Sequence, residues 1–155
     1  MSIWTLRLSI LGTLAAIIGI TTLVFTAILN AIGAFSIFTL ILLIIPFNII
    51  QWLIAPYMID AFYRVKEVSP TEEPELHRVV ERLSARSGIK KPKVMVAHIP
   101  IPNAFAYGSP IAGTRVAVTT ELLKTLDMEE VEAVLGHEIG HLKHRDVQVM
   151  MFVSI

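Results

Sequence analysis

The sequence predicts an α+β membrane protein: an N-terminal transmembrane helical hairpin, a small, mostly helical domain with a short β-sheet, and the start of a third transmembrane helix. Three observations predict it. The 52 residues from Leu8 to Ile59 contain no Asp, Glu, Lys or Arg. From Asp60 to Asp146 charge returns at ordinary density, and helical and strand periodicities alternate. From Val147 to Ile155 the chain is apolar again. The expected organisation is therefore a hairpin at 1–59, a polar domain at 60–146 and a third segment at 147–155 that reads as cut short.

A helix needs about 20 apolar residues to cross a bilayer core of about 30 Å. The uncharged stretch accommodates two crossings and a turn, placed at about 8–29 and 34–54. The turn falls at Asn30-Ala31-Ile32-Gly33. Pro46 lies inside the second span, where membrane helices tolerate it. Trp4, Trp52 and Tyr57 would form one interfacial belt. A secretory signal fails on length, on the lack of a cleavage site and on the second apolar run. Arg7 precedes the hairpin and Arg64 and Lys66 follow it, so the positive-inside tendency puts both ends in the cytoplasm.

Composition excludes other classes. Thirteen basic and 13 acidic residues cancel, leaving no basic surface for a nucleic-acid backbone. The absence of cysteine rules out disulfides and thiolate zinc sites.

In the polar domain, Ser69–Pro74 is a helix-start cluster. Leu76, Val79, Val80 and Leu83 repeat at helical spacing until Gly88. Lys93–Ala97 and Arg115–Thr119 read as strands. Thr119 or Thr120 can cap a short helix through Leu126. Asp127 with Glu130 forms a capping box for a helix over 128–144. His77 is expected to face solvent, and His98 to be structural or to border a substrate cleft.

That last helix carries His137-Glu138-Ile139-Gly140-His141. Histidines four apart project from one helix face and can share one Zn²⁺, one per subunit, at about 2.0–2.1 Å per nitrogen. Glu138 stands beside the metal without having to ligate it. It can take a proton from the attacking water and deliver it to a leaving amine. This is the pattern of a zinc metalloendopeptidase, with Glu138 catalytic and His137 and His141 holding the metal. A catalytic zinc usually has three protein ligands. His144 lies about 10.5 Å from His137 along the axis, too far for easy convergence on one ion. Asp146 reads as a supporting or interfacial residue, and Lys143-His144-Arg145 as an interfacial basic cluster. The third ligand is expected beyond Ile155.

Val94-Met95-Val96-Ala97-His98, Pro102-Asn103-Ala104-Phe105-Ala106-Tyr107-Gly108, Val116-Ala117-Val118-Thr119-Thr120 and the helix through HEIGHLKHRD together resemble the HtpX-type membrane zinc proteases, relatives of the CAAX prenyl endopeptidases. The resemblance runs from about Asp60 to the end. It implies zinc at His137 and His141, a catalytic Glu138, and a third ligand that is a glutamate on a later helix. It further implies that Asn103, Ala104, Phe105 and Ala106 lie beside the cleft as an edge strand, where substrate binds by strand addition. The role implied is quality control in a multi-pass cell-membrane protein with a cytoplasmic protease domain. Its partners would be the lipid bilayer and protein or peptide substrates, misfolded or damaged membrane proteins among them. The rivals are a CAAX-type processing protease and a non-catalytic membrane-anchored binding module. Only two spans before HEIGH favour quality control over CAAX-type processing.

Overall fold

The computed structural model describes residues 3–143, with side chains from Ala15 to Leu142. His144–Asp146 and the expected third segment at 147–155 lie outside the described residues. Two long helices come first, α1 (Ile3–Ala31) and α2 (Ile37–Phe62). They are joined at Ile32 and Gly33, where the Ala34 N–H donates to the Leu29 carbonyl at 2.9 Å. Pro46 lies inside α2 without ending it. α2 is long and apolar enough to cross a membrane, since its 26 residues extend about 39 Å at 1.5 Å each. It runs past the expected end of the hairpin at 59, to Phe62, and Asp60, the first charge, lies in its last turn.

The described residues fall into two compact units, one up to Leu53 and one from Ile54. In the first, the Phe25 and Phe47 rings meet edge to face at 5.3 Å. Leu29 and Leu40 are buried, while Leu23, Phe38 and Leu42 are almost bare. Polar side chains satisfy themselves within their own helices. Thr22 Oγ1 donates to the Ile18 carbonyl at 2.6 Å, Asn30 Nδ2 to that of Thr26 at 2.9 Å and Asn48 Nδ2 to that of Ile44 at 2.9 Å.

The second unit continues with β1 (Val65–Glu67), α3 (Pro74–Ser87), β2 (Lys93–Ala97), β3 (Ala104–Ser109), β4 (Gly113–Thr119), α4 (Thr120–Thr125) and α5 (Met128–Lys143). The sheet has four strands in the order β1-β2-β4-β3, two more than periodicity marked. β2 and β4 run parallel, with Val94 opposite Val116. β1 pairs antiparallel with β2, and β3 antiparallel with β4.

Alternation along the strands separates two buried faces. Val94, Val96, Ala104, Val116 and Val118 pack against Leu76, Val79 and Val80 of α3 and Val131, Leu135, Ile139 and Leu142 of α5. An Arg82–Glu132 ion pair bridges α3 and α5 at the surface. On the other face, Met95, Ala97, Tyr107, Arg115 and Ala117 are buried. There the last turns of α2 contribute Tyr57 beneath the Arg115 guanidinium, 5.1 Å from its ring centre, and Asp60, which pairs with Arg115.

Candidate metal centre and active site

α5 starts where the sequence says it should. Asp127 Oδ1 accepts the N–H groups of Glu129 at 3.0 Å and Glu130 at 2.9 Å, and Glu130 Oε2 accepts the Asp127 N–H at 3.0 Å. Two otherwise orphaned donors at the helix start are thereby satisfied. At 100° per residue, burying Val131, Leu135, Ile139 and Leu142 fixes the rotation of the helix and turns His137 and His141 away from the core. His137 is exposed, His141 and Glu138 are half-buried, and Ile139 between them is fully buried.

The two imidazoles meet edge to face with ring centres 4.6 Å apart. Their Nε2 atoms are 3.2 Å apart. Two nitrogens at about 2.0–2.1 Å from one zinc in tetrahedral geometry would be about 3.3–3.4 Å apart. The observed separation is therefore close to that of two nitrogens sharing one ion. Neutral imidazole is also the usual donor for zinc, so the donor chemistry fits as well. Among the described residues no third His, Cys, Asp or Glu joins them to complete a metal cluster, and His144 falls outside those residues.

The strand implied by the resemblance is β3. It lies at one edge of the sheet, paired with β4 alone among the described strands, and packs over α5. Ala104 and Phe105 open it, and Ala106 follows. Asn103 stands one residue outside the strand. Its N–H donates to Thr119 Oγ1 at 2.9 Å, and its carbonyl accepts the Thr119 N–H at 2.9 Å. The same Thr119 hydroxyl accepts the Leu122 N–H at 3.1 Å and caps α4. Ala104–Ser109 contains no charge and no proline, two of the devices that commonly blunt an edge strand.

Two expectations about other histidines separate. His98 is exposed and borders an open cavity of about 450 Å³ with Glu72, Glu73, Thr120 and Lys124. His77 does not face solvent freely. Its Nε2 contacts the Val68 carbonyl at 2.9 Å, tying α3 to the end of β1. In the same approach to α3, hydrogen bonds from the Ser69 backbone N–H and hydroxyl hold the Glu72 carboxyl below its ordinary range.

The residues the sequence did not flag are Asp60, Tyr107 and Arg115. The Tyr107 hydroxyl donates to Asp60 Oδ1 at 2.6 Å, and Arg115 pairs with Asp60 Oδ2. Burial first, then the Asp60 carboxylate, pushes the Tyr107 phenol well above its usual range. The available signal was Arg115 itself, a charge sharing a strand face with Ala117 and Thr119.

Comparison with known proteins agrees with this architecture. A profile described as peptidase family M48 matches residues 70–155. A protease HtpX homolog of Aeropyrum pernix is 46% identical over 148 residues, covering 96% of this chain and 46% of that protein. Protease HtpX homolog 2 of Saccharolobus solfataricus is 44% identical over 158 residues, covering 100% of this chain and 47% of that one. The chain thus spans less than half the length of these relatives. Among solved structures, that of S. mikatae Ste24p superposes with a TM-score of 0.60 over 97% of this chain and 37% of its own, at 23% identity. That similarity shows a shared fold. The profile match over more than half of the sequence and the HtpX relatives together settle the assignment: the chain belongs to peptidase family M48 and is of the HtpX type.

Proposed function

We propose that this chain forms part of an integral-membrane zinc endopeptidase that hydrolyses misfolded or damaged membrane proteins at the cytoplasmic face. The observation that carries the reading is the 3.2 Å approach of His137 Nε2 to His141 Nε2, with Glu138 one position along the helix. In this proposal His137 and His141 hold the metal, joined by a glutamate beyond Ile155. Zinc bound there would supply Lewis-acid polarisation of the scissile carbonyl and make water acidic enough to react at neutral pH.

The chain's own residues do the rest. Glu138, half-buried between the histidine face and the core, accepts the proton of the attacking water and returns it to the leaving amine. The uncharged edge of β3 holds an extended substrate through backbone hydrogen bonds, which select conformation more than sequence. That suits a substrate class defined by being unfolded. α1 and α2 form the transmembrane hairpin, supported by the bare apolar surface of both helices and by the length of α2.

Zinc analysis and casein cleavage by the full-length protein test the reading together. The expected result is one zinc per subunit and cleavage that a chelator abolishes and added zinc restores. Stoichiometric zinc without cleavage of any unfolded substrate would leave a binding module in its place.

A further inference from the structure

We infer that the turn between β3 and β4, Pro110-Ile111-Ala112, is a lipid-docking tip that seats the catalytic unit on the bilayer surface. The inference rests on the reading of α2 as a membrane span. Three contacts fix how β3 and β4 lie along the end of α2. The Phe105 ring meets Tyr63, with centres 5.9 Å apart. Two residues further along β3, Tyr107 meets Asp60. Arg115, the cross-strand neighbour of Tyr107, reaches back to Tyr57. As α2 is followed backward from Tyr63 through Asp60 to Tyr57, β3 therefore runs forward. Its turn is delivered to the Ile54 side of Asp60, where α2 is uncharged.

The chemistry of that end is apolar. Turn residues are normally polar or glycine, yet Ile111 is 61% exposed at the tip. Ile54, Tyr57 and Met58 are partly exposed at the same end of the unit, and tyrosine is a characteristic residue of the membrane–water boundary. The only charges in the hairpin and this part of α2, Asp60 and Arg115, neutralise each other behind the tip. β2 is parallel to β4 and enters the sheet from this same end, preceded by the exposed Lys90. Its sign suits anionic headgroups.

The turn is also built to hold its position. A Cβ on Gly108 would lie 2.4 Å from the Gly113 carbonyl oxygen, so the two strands approach more closely than any side chain allows. Gly113 takes φ +73°, a left-handed conformation natural to glycine. The Ala112 N–H donates to Ser109 Oγ at 3.2 Å. A tip fixed this way makes β3 stand upright on the lipid surface, with its Ser109 end at the membrane.

Nitroxide labels on single cysteines in the full-length protein, reconstituted in phosphatidylcholine vesicles, test the inference. The labelled sites are Ile111→Cys, with Pro110→Cys as a second site on the tip, Ile101→Cys before the other end of β3, and Leu42→Cys on α2. Accessibility to oxygen relative to a soluble nickel chelate is expected to be several-fold higher at 111 and 110 than at 101, and higher still at 42. If labels at 110 and 111 match the aqueous label at 101 while 42 reports lipid, the docking tip is wrong and the span stands. If 42 also reports water, the span reading falls and the inference falls with it. All four positions are surface-exposed, so the labels leave the core intact.

Discussion

The Tyr107 hydroxyl donates to Asp60 Oδ1 at 2.6 Å, joining an edge strand of the sheet to the last turns of a helix 47 residues earlier in the chain. Asp60 accepts at the same time from Arg115, whose side chain is only 8% exposed. Tyr107→Phe removes one hydrogen bond and leaves the ion pair. It is expected to lower stability by about 1–2 kcal/mol. Asp60→Ala leaves Arg115 buried without its counter-ion and should cost more, on the order of 3 kcal/mol. Thermal melts of the two variants in the same detergent check both the sign and the order.

The phenol also gives a pH dependence. The fold favours its protonated form, so its contribution is complete below the unfolded value of about 10 and is lost as pH rises above it. The difference in absorbance at 295 nm between the wild type and Tyr107→Phe is expected to show no phenolate at about pH 11, where a free tyrosine is mostly ionised. A normal tyrosine titration in that difference would overturn the assignment of the hydrogen bond.

Glu138→Gln keeps shape and hydrogen-bonding capacity but cannot carry a proton. Cleavage by the full-length protein should fall by about 10²–10⁴-fold, with zinc content unchanged. Loss of zinc in this variant would mean that Glu138 holds the metal and does not act on water.

His137→Ala and His141→Ala should each remove the metal. Neither histidine is part of the hydrophobic core, so the apo-fold should change by no more than about 0.5 kcal/mol. Metal analysis beside far-UV circular dichroism separates the two effects.

Asp127→Ala deletes the oxygen that accepts from both Glu129 and Glu130. The expected cost is about 1 kcal/mol, and Asp127→Asn should recover most of it. Because α5 carries the histidines, the alanine variant should also bind zinc more weakly at elevated temperature.

What the sequence showed depended on how local each signal was. The caps at Asp127 and Thr119, the apolar rows of α3 and α5 and the run Lys93–Ala97 are written within a few residues, and the structure has them where they were read. β4 begins at Gly113, two residues before the alternation becomes visible. β1 is three residues long, too short for any period to register. β3, Ala-Phe-Ala-Tyr-Gly-Ser, mixes small and aromatic residues and becomes a strand through its pairing with β4. The ion pair of Asp60 in the last turn of α2 was not legible either, because its partner Arg115 is 55 positions away. His137 and His141 were legible because four residues make about one helical turn. The completion of the site is a long-range property that no local pattern encodes.

A six-residue edge strand without charge or proline, proposed above as the substrate strand, could also pair with a second copy of itself. Most proteins blunt such an edge with lysine, proline or a bulge, because two copies can otherwise zip together. A hairpin confined to a bilayer moves in two dimensions, where modest copy numbers already bring molecules into frequent collision. Copies presenting β3 upright and at the same height would meet edge to edge, each occluding the proposed substrate strand of the other. Turnover per molecule should then decline as surface density rises. Overproduction would then add less proteolysis than the number of molecules suggests, a self-limiting dose response arising from the same strand edge that is proposed to hold unfolded chains.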